Sequence, residues 1–449
     1  MAVAWPLAAG AHATGSGFIL LLPTHLYVAG GAITVAVSFA LMTRVSPRLI
    51  AGAQSLRLSV PVPVAGHRHL GTATSLVSLA VAVALVVAGF VGSRDPLANP
   101  LPLFVWSVWW IGLSYLHAGF GDLWTHLNPW SGLYRVLTSL APVQDWRGSP
   151  PLSYPRWAGR WPAVAGLLLF AWFELIHPAP SDPAVLAKAV AGYWLAHMVG
   201  ALLFGPRWLR RAETFAVFFG IISWIAPVAW HRRAIELRMP ALRLLGLEPR
   251  EASGVAFVLL VLAAVSFDGL SRTFAWLGLL GVNPLIHPGR TALMAPNSLG
   301  LVALFTLLTL AYLVAVRRTG SPGLFVLSLV PIACGYHFAH YLPVLLVDVQ
   351  YALRAASDPF SRGWDLLGTR DLPVVTSFLS DPSRVYAIWH TQVTLIVAAH
   401  VTSVVIAHGL ALRQGVSAIL TGRGQLSLLV LMIGYTMLGL WLLSTPAAG

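Results

Sequence analysis

Residues 72–92, TATSLVSLAVAVALVVAGFVG, decide the fold class, because they form a long apolar stretch without a charged side chain. A helix that crosses a bilayer needs about 20 residues of this kind. Ten segments of the chain meet that requirement, and the sequence therefore predicts an all-α, polytopic transmembrane helix bundle in one integral membrane domain over residues 1–449. The ten predicted spans are 22–43, 72–92, 100–119, 160–178, 184–204, 251–270, 295–316, 322–347, 384–412 and 425–446.

The composition of the chain supports a membrane protein and excludes an ordinary soluble domain. Hydrophobic residues make up 57% of the chain and charged residues only 10%, whereas soluble domains carry roughly 25% charged residues. The net charge of +13 predicts contact with an anionic membrane surface rather than with nucleic acid. The single cysteine, Cys334, excludes a disulfide framework and a zinc site built from cysteines.

Two further apolar segments, 128–143 and 213–230, are predicted to be interfacial amphipathic helices. Both contain the tripeptide Ala-Pro-Val, and both lie near Trp and Arg residues, which suit the headgroup boundary. With these two segments outside the bilayer core, ten spans place most Lys and Arg residues on one side. The positive-inside rule then predicts a multi-pass inner-membrane protein with both termini outside. The short apolar piece 274–287 is predicted to be re-entrant.

Histidines are unusually frequent inside the predicted spans, where ionisable groups are costly and tend to mark function. The three-residue spacing of His337 and His340 places both on one helix face, where they can bind one ion. The next span is predicted to be a neighbour and adds His390 and His400. The sequence therefore predicts a metal site in the outer half of the bilayer, with zinc, copper or iron favoured. Its predicted ligands are His337, His340, His390 and His400.

Two acidic residues near the same predicted span ends complete this candidate site. Asp348 and Asp268 are predicted to act as a base or to orient a metal ligand. An alternative from the same histidines is haem b or copper binding, in which His400 and His197 hold the cofactor. A structural role also remains open, because buried histidines can hydrogen-bond between helices.

Three stretches carry a resemblance to a known family. Residues 335–341 (GYHFAHY), 358–369 (DPFSRGWDLLGT) and 396–408 resemble a family of bacterial polytopic membrane proteins labelled fenitrothion hydrolase. The similarity extends from about residue 106 to residue 411. It implies hydrolysis of a phosphotriester bond in an organophosphorus compound, and it implies a second membrane subunit as a partner. It supplies no catalytic residues.

Three functions are therefore predicted, in this order. The first is metal-assisted hydrolysis of an apolar phosphotriester that enters from the lipid. The second is electron transfer by a haem- or copper-binding membrane subunit, and the third is transport. The chain contains no Walker loop, dinucleotide-binding fingerprint or nucleophile elbow, which disfavours ATP-driven transport and serine-hydrolase chemistry. The polar loop 358–369 is expected either to cover the histidines as a lid or to form a packed turn.

Overall fold

The computed structural model describes residues 24–42, 44–61, 67–140, 143–231, 234–283, 289–317, 321–414 and 423–445. Parts of several predicted segments lie outside the described residues. They are residues 22, 23 and 43 of the first span, 141–142 of the first interfacial helix, 284–287 of the re-entrant piece and 446 of the last span.

The protein is an all-α polytopic bundle, as predicted, with 75% of the structure in helices. Nine helices among the described residues are long and apolar enough to span a membrane. The main helices are α1 (Thr24–Met42), α2 (His67–Val91), α3 (Pro100–Phe120), α4 (Trp161–Leu175), α5 (Pro183–Phe204), α6 (Thr214–Ile222), α7 (Ala252–Ser271), α8 (Gly289–Val316), α9 (Val330–Ser357), α10 (Pro382–Arg413) and α11 (Arg423–Ser444).

Shorter helices connect or extend these elements. The α-helical ones are Pro47–Ser55, Trp124–Leu127, Ser131–Leu137, Pro206–Arg211, Phe274–Leu279 and Pro322–Phe325. The 3₁₀ turns are Gln144–Arg147, Arg156–Ala158, Ser223–Ile225, Leu242–Gly246, Val326–Leu329 and Ser377–Leu379. Helix α3 is itself mixed, because its central part, Phe104–Gly112, is a π-helix.

Three of the main helices begin with the same local sequence, an amide or carboxylate residue followed by proline. The side chain of the first residue accepts hydrogen bonds from backbone N–H groups of the first turn, which otherwise lack partners. Proline fits the next position because its φ angle suits a helix and its missing N–H is not needed there. These caps are Asn99, Asp182 and Asp381.

Two predicted helical segments differ in length or position from the expectation. The predicted span 160–178 forms α4, whose 15 residues cover only about 22 Å at 1.5 Å per residue. The predicted interfacial helix 213–230 ends at Ile222 and continues into a 3₁₀ turn and a strand. Seven of the nine residues of α6 are buried, so α6 is covered by the bundle instead of lying on its surface.

A small antiparallel sheet, which the sequence analysis did not predict, lies at one end of the bundle. Its strands are β1 (Arg57–Pro61), β2 (Val228–Trp230) and β3 (Ala234–Arg238), in the order β1-β3-β2. The Trp230 Nε1 donates to the Phe120 carbonyl at 2.6 Å, which places the sheet at the C-terminal end of α3.

The N-terminal ends of α4 and α7 are joined by an ion pair, in which the Arg160 Nη1 lies 2.8 Å from the Glu251 Oε1.

Helices α9 and α10 are neighbours, as predicted, and they approach closely at Gly335. A Cβ atom at this position would lie 2.4 Å from the Ala399 Cβ and 3.0 Å from the Leu395 carbonyl oxygen. One turn further along α9, the Ala339 carbonyl accepts a hydrogen bond from the Gln392 Nε2 of α10 at 2.7 Å. Small residues permit such close packing between membrane helices, so Gly335 sets the distance between α9 and α10.

We expect Gly335→Ala to destabilise the protein, because the added methyl group has no room between α9 and α10. Overpacking of this kind costs about 1–3 kcal/mol. Gly434→Ala in α11 is the matched control, since nothing lies within 4 Å of a Cβ atom there. Thermal unfolding in detergent should show a lower Tm for Gly335→Ala only. Equal Tm values for the two variants would refute the close approach.

Candidate polar site at the ends of α4 and α7

A buried ion-pair network joins α7 to the middle of α9. Asp268 is 2% exposed, and its carboxylate contacts two cationic or ionisable side chains. The Asp268 Oδ2 lies 2.9 Å from the His340 Nε2, and its Oδ1 lies 3.0 Å from the Arg272 Nη2. Asp268 and Arg272 are four residues apart at the end of α7, a spacing that places them on one helix face. Burial of a carboxylate is costly without such partners.

A second buried carboxylate, Glu174, lies next to this pair at the end of α4. The Tyr341 hydroxyl donates to the Glu174 Oε1 at 3.2 Å. The Arg290 Nη1 donates to the backbone carbonyls of Glu174 at 2.8 Å and of His177 at 3.3 Å. Two arginines therefore accompany two buried carboxylates. We call this set the polar network; its members are Glu174, Asp268, Arg272, Arg290, His340 and Tyr341.

His337 lies one turn before Tyr341, deeper in the bundle, and aromatic rings surround it. The ring centroid lies 4.8 Å from that of Trp110, 5.0 Å from that of Tyr341 and 5.7 Å from that of Phe218. A cavity between α3, α4, α7 and α9 is lined by His337 and by Glu174. Its interior has room for about one water molecule.

The π-helical part of α3 provides much of the wall around this site. π-Helical turns are rare and often mark functional sites. Trp110 from this part contacts His337, and the Ser107 Oγ donates to the Asp348 Oδ2 at 2.9 Å. Asp348 is buried on α9 and lies eight residues after His340, about 12 Å further along the helix axis. Asp348 is thus bound to α3, while Asp268 is the carboxylate bound to His340.

The four histidines predicted as metal ligands have separate surroundings. His340 pairs with Asp268, and His337 lies in its aromatic cluster. His390 is exposed and contacts the rings of Tyr27 and Tyr386. His400 is buried against Tyr435, and its Nδ1 lies 2.8 Å from the Ile396 carbonyl oxygen of its own helix. In the described part of the chain, no three His, Cys, Asp or Glu side chains are grouped to hold a metal ion.

His197, the other histidine predicted to bind a cofactor, has a structural partner. The Trp208 Nε1 donates to the His197 Nδ1 at 3.0 Å, and the His197 ring packs against Tyr193 and Trp130. His400 lies against Tyr435 instead, so the two histidines predicted to hold a haem have different neighbours.

His117 is also held structurally. Its Nδ1 lies 2.7 Å from the Leu113 carbonyl oxygen, and its Nε2 accepts from the Trp124 backbone N–H at 2.9 Å. Both ring nitrogens are thus used by the backbone. The ring also stacks on Phe219, with centroids 4.4 Å apart.

Among the network members, the sequence predicts a role only for Asp268 and His340. Glu174 lies near the same predicted span ends, but no role is predicted for it or for Arg272, Arg290 and Tyr341. One signal was available, namely the four-residue spacing of Asp268 and Arg272 at a span end. The contacts between α4, α7 and α9 follow from helix packing, which the spacing along one helix does not reveal.

The loop 358–381 forms a packed structure on the last turns of α9. The Ser357 Oγ donates to the Asp365 Oδ1 at 2.6 Å, and the Asp358 carboxylate accepts from the backbone N–H groups of Arg362 and Gly363. Ser357 is 17 residues beyond His340, about 25 Å along the helix. These contacts match the packed turn, one of the two alternatives predicted for residues 358–369.

We expect Asp365→Ala to destabilise the folded conformation of this loop, and we expect a pH below 3.8 to have the same effect. The hydrogen bond from Ser357 and the backbone N–H of Arg370 lower the pKa of Asp365 below its ordinary value of 3.8. The resulting stabilisation is complete above pH 3.8 and is lost as the pH falls through the lower pKa of the folded protein. Hydrogen exchange should accelerate in residues 358–370. Asp371→Ala is the control, because Asp371 is 93% exposed, and equal exchange in both variants would refute the role of Asp365.

Comparisons with protein-family models, with curated proteins and with solved structures find no match for this chain.

Proposed function

We propose that this protein is a membrane-embedded hydrolase that cleaves a phosphotriester bond of an apolar substrate at the polar network. One observation carries the proposal, namely the contact between His340 and the buried carboxylate of Asp268, which Arg272 also binds. A histidine oriented by a carboxylate is a common general base. The resemblance to the fenitrothion hydrolase family supplies the substrate class.

The contacts assign distinct roles to the network members. If the His340 Nε2–H donates to Asp268, then the Nδ1 is the nitrogen that accepts a proton from water. The hydroxide attacks phosphorus, the bond between phosphorus and the leaving oxygen breaks, and the proton on His340 passes to that oxygen. Arg272 stabilises the negative charge that develops on the phosphoryl oxygen, or on the sulfur that replaces it in a phosphorothioate. One water is consumed, and an alcohol and a phosphodiester acid are formed.

Access to His340 fits an apolar substrate that arrives from the bilayer. The side chain of His340 is 22% exposed and that of Arg272 is 40% exposed. The internal cavity, with room for about one water, is too small for a phosphotriester. The substrate therefore meets the network at the boundary of the bundle and does not enter the cavity.

This proposal gives no role to the predicted four-histidine metal site. His390 is exposed while His400 is buried against Tyr435, and in the described part of the chain no three His, Cys, Asp or Glu side chains are grouped to hold a metal ion. The steps above use only side chains that contact one another.

Transport remains a second candidate, and interruptions in two helices favour it. Broken helices are typical of transporter sites. Helix α3 contains the π-helical part Phe104–Gly112, and α9 contains Pro343. Proton uptake coupled to a solute would distinguish this function from hydrolysis.

The same proposal includes an orientation in the bacterial inner membrane. The positive-inside rule places the end with the sheet, which carries Arg57 and Arg238, in the cytoplasm. The polar network then faces the outer side, and both termini are outside. Labelling of a cysteine introduced at Asp371 by a membrane-impermeant reagent in intact cells tests this orientation.

The test of hydrolysis compares two histidine variants in lipid nanodiscs. The substrate is an aryl dialkyl phosphorothioate whose phenolate product is coloured. We expect turnover by the wild type and by His390→Gln, and a loss of at least about 100-fold in His340→Gln. Turnover by His340→Gln at the wild-type rate, or no turnover by the folded wild type, would overturn the proposal.

A further inference from the structure

The cavity beside the polar network contains polar groups that the proposed hydrolysis does not use. It lies between α3, α4, α7 and α9, and most of its wall is apolar or aromatic. Four of the lining side chains carry groups that need hydrogen bonds, and the proposed hydrolysis gives no role to those of His337 and Glu174. The lining includes Trp110, Phe170, Ala171, Glu174, His337 and Tyr341.

His337 has fewer protein partners than a buried imidazole requires. Its side chain is 1% exposed. The Trp110 backbone carbonyl is close to the ring, but neither ring nitrogen makes a well-formed hydrogen bond within the described part of the chain. One carbonyl satisfies at most one of the two nitrogens. Buried polar groups nearly always have a partner in the protein or in an ordered water.

Glu174 provides a second polar group on the same cavity. Its Oε1 accepts one hydrogen bond from Tyr341, and a carboxylate can accept several more. The space between the side chains holds about one water molecule. A site for ordered water needs this volume together with at least two polar partners, and the cavity provides both.

We infer that the cavity binds one ordered water that hydrogen-bonds to His337 and to Glu174. The water extends the polar network from the end of α4 toward the centre of the bundle. When Glu174 is protonated, its proton can pass to the water while a proton of the water passes to His337. Glu174 becomes a carboxylate, His337 becomes an imidazolium and the water is unchanged. This inference does not depend on hydrolysis, and its readouts involve no substrate.

Radiolytic footprinting of the wild type in nanodiscs tests for the water directly. Irradiation of a bound water oxidises the side chains that touch it, even when they are shielded from bulk solvent. We expect oxidation of Tyr341 or Trp110 above the level of Trp106, which is equally buried but does not line the cavity. Ala171→Val narrows the cavity and should remove the signal. Oxidation of Tyr341 and Trp110 no higher than that of Trp106 would overturn the inference.

A double-mutant cycle tests the link between the two side chains. Glu174→Gln and His337→Phe should each shift Tm, and the double variant should shift it by less than the sum. Glu174→Gln combined with His400→Phe is the control and should give additive shifts, because His400 lies against Tyr435 and does not line the cavity. Additive Tm shifts in both pairs would contradict a water that links Glu174 to His337. Footprinting of the wild type decides the question if a variant fails to fold.

Discussion

Asp268→Asn is expected to lower phosphotriester hydrolysis by about 100-fold to 10,000-fold, the range for loss of general acid–base catalysis. Asparagine keeps the shape of the side chain but removes the charge that orients His340 and pairs with Arg272. The His340 ring then loses its preferred proton position. Arg272, which is partly buried, also loses its counter-ion, and this lowers the stability of the folded protein.

The measurement is kcat of the purified variant, with Tm recorded on the same sample. Asp348→Asn is the comparison, because Asp348 is the other carboxylate predicted to act as a base or to orient a ligand, and it accepts a hydrogen bond from Ser107 instead. We expect less than a tenfold loss in Asp348→Asn. A larger loss there than in Asp268→Asn would show that the base lies on the α3 side of α9.

Glu213→Ala is expected to cause the largest loss of stability among single substitutions outside the polar network. Glu213 is buried and caps α6, where its carboxylate accepts hydrogen bonds from the backbone N–H groups of Phe215 and Ala216. It also accepts from the Trp124 Nε1 and the Tyr193 hydroxyl. Each buried donor left without a partner costs about 1–3 kcal/mol, so we expect a total loss of at least ~3 kcal/mol.

Glu213→Gln is the matched control, since it keeps one acceptor oxygen and the length of the side chain. Thermal unfolding in detergent should give a clearly lower Tm for Glu213→Ala than for Glu213→Gln. Equal Tm values for Glu213→Ala and the wild type would show that α6 does not depend on its cap.

The membrane-spanning helices of this protein are predictable, because a helix that crosses a bilayer needs about 20 consecutive apolar residues, and such stretches can be read directly from the sequence. Residues 72–92 match the corresponding helix closely, and the contact between α9 and α10 follows from their order in the chain. The sheet escaped prediction because β1 is short and pairs with a segment more than 170 residues later. Nothing in the local pattern indicates such a partner.

The predicted metal site shows what residue spacing alone cannot provide. His390 and His400 are ten residues apart on α10, and at about 100° per residue their directions differ by about 80°. One is therefore exposed while the other is buried. The three-residue spacing of His337 and His340 was a sound reason to place them near each other. Their rings nevertheless contact different helices, because His337 packs against α3 and His340 contacts Asp268 of α7.

The burial of α6 had a signal in the sequence. Residues 214–222, TFAVFFGII, are apolar on all sides, whereas an interfacial helix needs one polar face. A helix that is hydrophobic all round is normally buried. Nearby Trp and Arg residues favour a helix on the membrane surface, but the absence of a polar side on residues 214–222 indicates a buried helix, as the structure has it.

Hydrolysis in water enriched in ¹⁸O tests the central claim most directly. The wild-type protein in nanodiscs is given an aryl dialkyl phosphorothioate, and both products are analysed by mass spectrometry. Attack of water on phosphorus at the His340–Asp268 site predicts one ¹⁸O atom in the phosphorus-containing product, none in the phenol, and loss of both products in folded His340→Gln. Label in the phenol, or unchanged product formation by His340→Gln, would contradict this account.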